Sequence, residues 1–140
     1  MADRKASAIW EGTLKAGKGS MHFADYDGPF TFASRFEEGK GTNPEELLGA
    51  AHAGCYSMAL SGGLTEAGFT PEKIETTAHV ALRNVDEKAT ITHIQLVSKA
   101  KVPGITLEKF LEIAEATKLG CPVSRALSGV EISLEAELVP

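Results

Sequence analysis

Two cysteines and a handful of charged side chains carry whatever chemistry this sequence has. Cys55 lies in Leu47-Leu-Gly-Ala-Ala-His-Ala-Gly-Cys-Tyr-Ser-Met-Ala-Leu60, a stretch almost free of charge, while Cys121 stands between Gly120 and Pro122. A thiol attacks only as its thiolate, and a thiolate at neutral pH needs a nearby cation or the N–H groups of a helix N-terminus. Cys121, directly before a proline, takes the N-cap of a short helix, where unpaired backbone N–H groups and the dipole favour a thiolate. A thiol serving merely as a poor cap is the bland alternative. Cys55 sits inside a helix, where a free cysteine usually acts as a small buried hydrophobe. Read from its own position alone, Cys55 is packing, and the nucleophilic reading stays open beside it.

The charges that could activate such a thiol flank the same helix. Arg35 could stabilise a thiolate while a carboxylate from Glu45, or from the adjacent Glu46, orients its guanidinium through a bidentate pair. Taken one at a time, each reads as a solvated surface charge. Helix geometry adds a constraint: Glu45 and Cys55, on one straight helix, are about 15 Å apart along its axis. Either the helix bends, at Gly49 or Gly54, or the carboxylate serves the second subunit of a dimer; the dimer is the reading adopted. His52 lies one turn before Cys55 and can share its face. It reads as a satisfied core or interface histidine, with an imidazole base as the secondary role. His22, His79 and His93 are dispersed on predicted strands, and without a CxxC or HxxxH pattern no zinc or iron ligand set is formed.

The elements that must position these groups follow from periodicity and punctuation. Ser7 to Leu14 alternates loosely, Lys15-Ala-Gly-Lys-Gly19 supplies a turn, and Ser20 to Phe23 closes a hairpin. Asp25-Tyr-Asp-Gly-Pro29 reads as a turn and Phe30 to Phe36 as a third strand, with Phe30 and Phe32 on one face. Asn43-Pro-Glu-Glu46 opens a helix: Asn as N-cap, Pro at the first helical position, and two acids at the positive end of the macrodipole. That helix runs to Ala67, closed by Gly68, and its Ala- and Gly-rich interior makes it a core helix. Two long strands, Lys73 to Asn84 and Ala89 to Val102, flank the turn Val85-Asp-Glu-Lys88, with Ile94, Leu96, Ser98, Ala100 and Val102 on one face. Leu107 to Lys118 is an amphipathic helix stopped at Gly120, and Pro122 to Leu127 a short one. Val130 to Leu138 alternates as a half-buried strand. The order predicts an α+β fold with a mainly antiparallel sheet packed on a long buried central helix, in one domain over residues 1–140.

Composition narrows the function classes. A chain of 140 residues is long enough to bury a core without staples, and its 14 basic residues are outnumbered by 19 acidic ones without clustering, which argues against a nucleic-acid partner. No segment reads as a secretory leader or a bilayer span, so the expected location is the cytoplasm, away from membranes. In that reducing compartment a paired use of two cysteines is catalytic or redox-sensing.

The residues from Thr42 to Leu60, Thr42-Asn-Pro-Glu-Glu-Leu-Leu-Gly-Ala-Ala-His-Ala-Gly-Cys-Tyr-Ser-Met-Ala-Leu60, together with Gly120-Cys-Pro-Val-Ser124, resemble the OsmC/Ohr family of peroxiredoxin-like proteins. The resemblance extends to Trp10-Glu-Gly12, Arg35-Phe36, Lys40-Gly-Thr-Asn-Pro44, Glu66-Ala-Gly-Phe-Thr-Pro71 and Val102-Pro-Gly104. Ala-Ala-His-Ala around His52 is more similar to the osmotically inducible branch than to the organic hydroperoxide resistance branch. The resemblance implies a thiol peroxidase for organic hydroperoxides and, less specifically, hydrogen peroxide, active in oxidative or osmotic stress and built as an intertwined homodimer. It places the peroxidatic cysteine at Cys55, the resolving cysteine at Cys121, the arginine at Arg35 and the carboxylate at Glu45. It further implies a disulfide between Cys55 and Cys121 after turnover, reduced by an external dithiol such as a lipoylated protein, and no bound cofactor. Two other readings are carried forward: a non-enzymatic redox sensor, and a stress protein that binds a hydrophobic ligand.

Overall fold

In the computed structural model, which describes Met1 and residues 3–140, the expected hairpin forms from β1 (Ser7–Glu11) and β2 (Lys18–Phe23). The two pair antiparallel with Ser7 opposite His22 and Glu11 opposite Lys18. The chain then turns more tightly than its Asp, Gly and Pro suggest. Ala24 takes a positive φ of 48°, and β3 (Tyr26–Phe30) pairs antiparallel with β2 where a turn was expected. The strand expected over Phe30 to Phe36 is instead a helix, α1 (Phe32–Phe36). Thr31 is its cap: the Thr31 hydroxyl accepts from Ser34 N at 3.1 Å, and Thr31 N donates to the Ser34 hydroxyl at 2.8 Å. That reciprocal box satisfies two helix-end N–H groups and commits the chain to a helical turn. Phe32 and Phe36 then meet as an i,i+4 pair with centroids 5.0 Å apart. These elements form the first of two units, Met1–Leu47.

The second unit, Leu48–Pro140, contains most of α2 (Pro44–Glu66), the sheet β4 (Lys73–Val85), β5 (Lys88–Lys101) and β6 (Glu131–Leu138), and helices α3 (Leu107–Gly120) and α4 (Pro122–Ala126). Gly68, at φ 94°, ends α2 in the left-handed conformation that glycine adopts without strain. Asp86 and Glu87, both at positive φ, make the two-residue turn that matches the twist of the β4–β5 hairpin. The sheet is not wholly antiparallel. β4 pairs antiparallel with β5, whereas β5 and β6 run parallel with His93 opposite Glu131. Parallel neighbours require a crossover, and α3 with α4 provides it.

The core of this unit joins α2, β5 and α3. His52, Tyr56, Leu60 and Leu64, spaced by whole turns of α2, are fully buried, as are Ile94, Leu96, Ser98 and Ala100 on alternate positions of β5. Gly63 allows α2 and α3 to approach: a Cβ there would lie 3.1 Å from Ile113 Cγ2. Within the chain α2 buries only part of its circumference, since Met58 is 81% exposed. Among the described residues no helix is long and apolar enough to cross a membrane.

Candidate active site

The reactive residues fall into two groups, one in each unit. In Met1–Leu47 the group is built on α1 and the first turn of α2. Ser34, buried in α1, donates its hydroxyl to Thr42 O at 2.8 Å. Asn43 works at two helix ends: its Nδ2 donates to Ser34 O at 3.0 Å, and its Oδ1 accepts from Glu46 N at 2.8 Å. Asn43 is therefore the N-cap read from the sequence, and it also ties α1 to the start of α2. The result sets Arg35 against Glu45. Arg35 Nη2 donates to Glu45 Oε1 at 2.7 Å and Nε to both carboxylate oxygens at 3.2 Å. Glu45 is 7% exposed and Arg35 stacks on Phe36 at 5.2 Å. Within one chain it is Glu45 that meets the guanidinium. Glu45 holds the guanidinium, while Glu46 accepts from Asn43 Nδ2 at 3.1 Å as part of the helix cap. Beside Arg35 lies a cleft of about 220 Å³ lined by Trp10, Leu14, Phe30, Phe32 and Phe36.

In Leu48–Pro140 the two thiols come together. Cys55, half-buried on α2, and Cys121, 1% exposed, are both free. Cys121 occupies the junction where α3 ends and α4 begins, with extended backbone, and its sulfur accepts from Ser124 N at 3.3 Å, as the N-cap reading expects. Burial pushes the Cys55 thiol up; the backbone N–H of Val123 pulls it down, and hydrogen bonding and charge from Cys121 raise it again. The first N–H groups of α4 after Pro122 are thus divided, Val123 toward Cys55 and Ser124 toward Cys121. The balance of these effects favours the neutral thiol at Cys55.

His52 is fully buried. Its Nε2 lies 2.7 Å from the Ser124 hydroxyl, and burial holds the imidazole below its ordinary pKa. Ser124, part of the Gly120–Ser124 motif, has no role assigned from the sequence, yet it contacts both His52 and Cys121. The signal was its place three residues after Cys121, the position whose N–H an N-cap side chain receives. Tyr56, one residue past Cys55, donates to Ala114 O at 3.1 Å, and burial followed by the charge of Glu115 raises its pKa. Of the other histidines, His22 pairs locally with Ser20 and Asp27, and His93 with Ser133 and Glu131. Among the described residues no three His, Cys, Asp or Glu side chains gather to hold a metal ion.

Comparison with known proteins adds a lineage to this geometry. The family described as OsmC-like protein matches residues 37–135. The chain is 51% identical over 138 residues to Peroxiredoxin OsmC of Escherichia coli, covering 96% of each. Its fold is similar to an OsmC like protein from Mycoplasma pneumoniae (TM-score 0.79, 16% identity, 99% of each chain). It is also similar to the organic hydroperoxide resistance protein OhrB of Bacillus subtilis (TM-score 0.71, 25% identity, 95% of this chain and 98% of that one).

Proposed function

This chain belongs to the OsmC-like protein family, and on that footing we propose that it is a cysteine-based peroxidase reducing hydroperoxides, with Cys55 as nucleophile and Cys121 as resolving thiol. The observation that carries the reading is the pairing of two free thiols from α2 and the α3–α4 junction, near enough for one to hydrogen-bond the other. One half-buried and one buried thiol, set together, are suited to two-electron sulfur chemistry. The Cys55 thiolate attacks the terminal peroxide oxygen, the O–O bond breaks, and alcohol or water leaves after taking a proton. Cys55 sulfenic acid remains. The Cys121 sulfur then displaces hydroxide from it, giving water and a Cys55–Cys121 disulfide, which an external dithiol reduces. A lipoylated protein is the donor class the family reading supplies.

The cation is Arg35, oriented by Glu45. In the homodimer that the family resemblance implies, Arg35 and Glu45 of one copy serve Cys55 of a second copy. The exposure of Met58 on α2 (81%) and Leu119 on α3 (74%) supports an apolar surface for that second copy to cover. The aromatic cleft next to Arg35 supports organic hydroperoxides, whose hydrocarbon it would take. Free thiols as catalysts fit a reducing cytoplasm, and the whole chain acts as one family domain.

The test is steady-state loss of tert-butyl, cumene and hydrogen peroxide with a dithiol present. Turnover faster with the organic peroxides supports the reading. Consumption that stops after a single equivalent sinks it in favour of a redox sensor, and a Cys55→Ser, Cys121→Ser double variant with full function would leave only ligand binding.

A further inference from the structure

Cys121 ends a file of three buried polar side chains. Cys121 is 1% exposed, Ser124 4% and His52 fully buried. His52 Nε2 lies 2.7 Å from Ser124 Oγ, Ser124 Oγ lies 3.1 Å from Cys121 Sγ, and Ser124 N donates to the same sulfur at 3.3 Å. The direction of the file follows from the other imidazole nitrogen. His52 Nδ1 is buried and has no hydrogen-bond partner among the described residues. A neutral imidazole carries one N–H, and a buried donor without an acceptor is a costlier defect than an unused lone pair. The proton therefore belongs on Nε2, which donates to Ser124 Oγ. In the thiol form Cys121 donates to Ser124 Oγ; once that proton is lost, the Ser124 hydroxyl proton is free to turn to the sulfur, so that Ser124 donates to the thiolate from both N and Oγ.

We propose that His52 and Ser124 are positioning residues for the resolving thiol: a buried donor file that stabilises the Cys121 thiolate and fixes its sulfur toward Cys55. The inference rests on the resolving role proposed for Cys121. Around that sulfur stand Cys55, Tyr56 and His52 on α2, with Glu66 and Glu112 on the cleft that Cys121 lines and Glu115 near Tyr56, while Lys118 and Arg125 line a cleft with Ser124. The group that hydrogen-bonds the sulfur from α4 is the neutral Ser124, so hydrogen bonds carry the stabilisation.

The file acts in both halves of the cycle. In resolution, the Cys121 thiolate attacks Cys55 sulfenic acid; the S–S bond forms, the S–O bond breaks, and the departing hydroxide takes the proton released by the Cys121 thiol. In reduction, a dithiol thiolate attacks the more exposed sulfur, Cys55, and the electron pair of the broken S–S bond goes to Cys121. A stabilised thiolate is the better leaving group there. The second thiol of the donor then releases Cys55 and leaves as a disulfide, its two protons passing to the cysteines.

Two readouts test the file on the full-length protein with Ser124→Ala, His52→Leu and His52→Gln. In a Cys55→Ser background, thiolate absorbance titrates Cys121 directly. Ser124→Ala and His52→Leu should move its midpoint up by about one pH unit, whereas His52→Gln, whose amide N–H can reach the Nε2 position, should restore it. With Cys55 present, disulfide formation should slow about threefold to fourfold more than Cys55 oxidation, the loss of thiolate being partly offset by the greater nucleophilicity of the less stabilised sulfur. Equal midpoints in all variants, or no rescue by glutamine, would overturn the proposal. If the unsubstituted protein forms sulfenic acid but never a disulfide, the resolving role fails instead, and the titration, which needs no peroxide, still decides whether the file exists.

Discussion

Arg35 Nη2 donates to Glu45 Oε1 over 2.7 Å, and the carboxylate that receives it is almost wholly buried. Burying a carboxylate is costly unless it is paired, so the pair fixes the guanidinium as a rigid fork. Arg35→Lys keeps the charge and loses the fork. It should slow Cys55 oxidation by about tenfold or more, by analogy with the loss of one preorganised charge-stabilising donor, in rapid-mixing measurements of sulfenic acid formation.

Subunit complementation distinguishes which copy the pair serves. Arg35→Ala and Cys55→Ser chains are each expected to be inactive alone. Co-expressed and mixed, they form heterodimers in which one site has both Arg35 and Cys55 intact if the arginine acts across the dimer. Activity should then reappear, at up to half of the unsubstituted level per heterodimer. Silence in a verified heterodimer would place Arg35 and Cys55 in the same copy.

His52 gives the fold a defined acid response. Burial holds its pKa below the ordinary 6.5, so between that value and the lower folded one the unfolded chain binds the proton and the folded chain does not. Stability contributed by neutral His52 is complete above about pH 6.5 and declines as pH falls toward the folded pKa. His52→Gln, which cannot titrate, should show less loss of denaturant midpoint between pH 7 and pH 5. Parallel losses in the two proteins would remove His52 as the cause.

The core should rank substitutions by what they leave behind. Leu60 is fully buried, and Leu60→Ala should cost about 2–5 kcal/mol through a cavity. Tyr56→Phe keeps the ring and loses only the hydroxyl bond to Ala114 O, for about 1 kcal/mol. Urea denaturation measures both, and a reversed order would mean that α2 is held more by that bond than by packing.

Much of this was legible in the residues, and the failures have identifiable causes. The Asn-Pro-Glu-Glu start and glycine stop gave α2 because caps act locally, and alternation gave β5 and β6 because each buries one face. Phe30 to Phe36 was misread because aromatics spaced for a strand are also an i,i+4 pair, and the Thr31–Ser34 cap outweighed their β propensity. The parallel pairing of β5 with β6 depends on where the α3–α4 crossover returns the chain, which no local pattern encodes. Glu45 could have been separated from Glu46 in advance. Asn43 and Glu46 have the spacing of a capping box, which leaves Glu45 as the carboxylate free for Arg35. Ser124 was hidden because its partner His52 comes from the distant α2.

The division of labour between Cys55 and Cys121 is tested most directly by intact mass after one equivalent of cumene hydroperoxide, on the unsubstituted protein, Cys121→Ser and Cys55→Ser. The account predicts loss of two hydrogens in the first, a dimedone-reactive gain of one oxygen in the second, and no rapid change in the third. Oxidation of Cys55→Ser at the rate of the unsubstituted protein, with Cys121→Ser inert, would contradict it and make Cys121 the thiol that meets the peroxide.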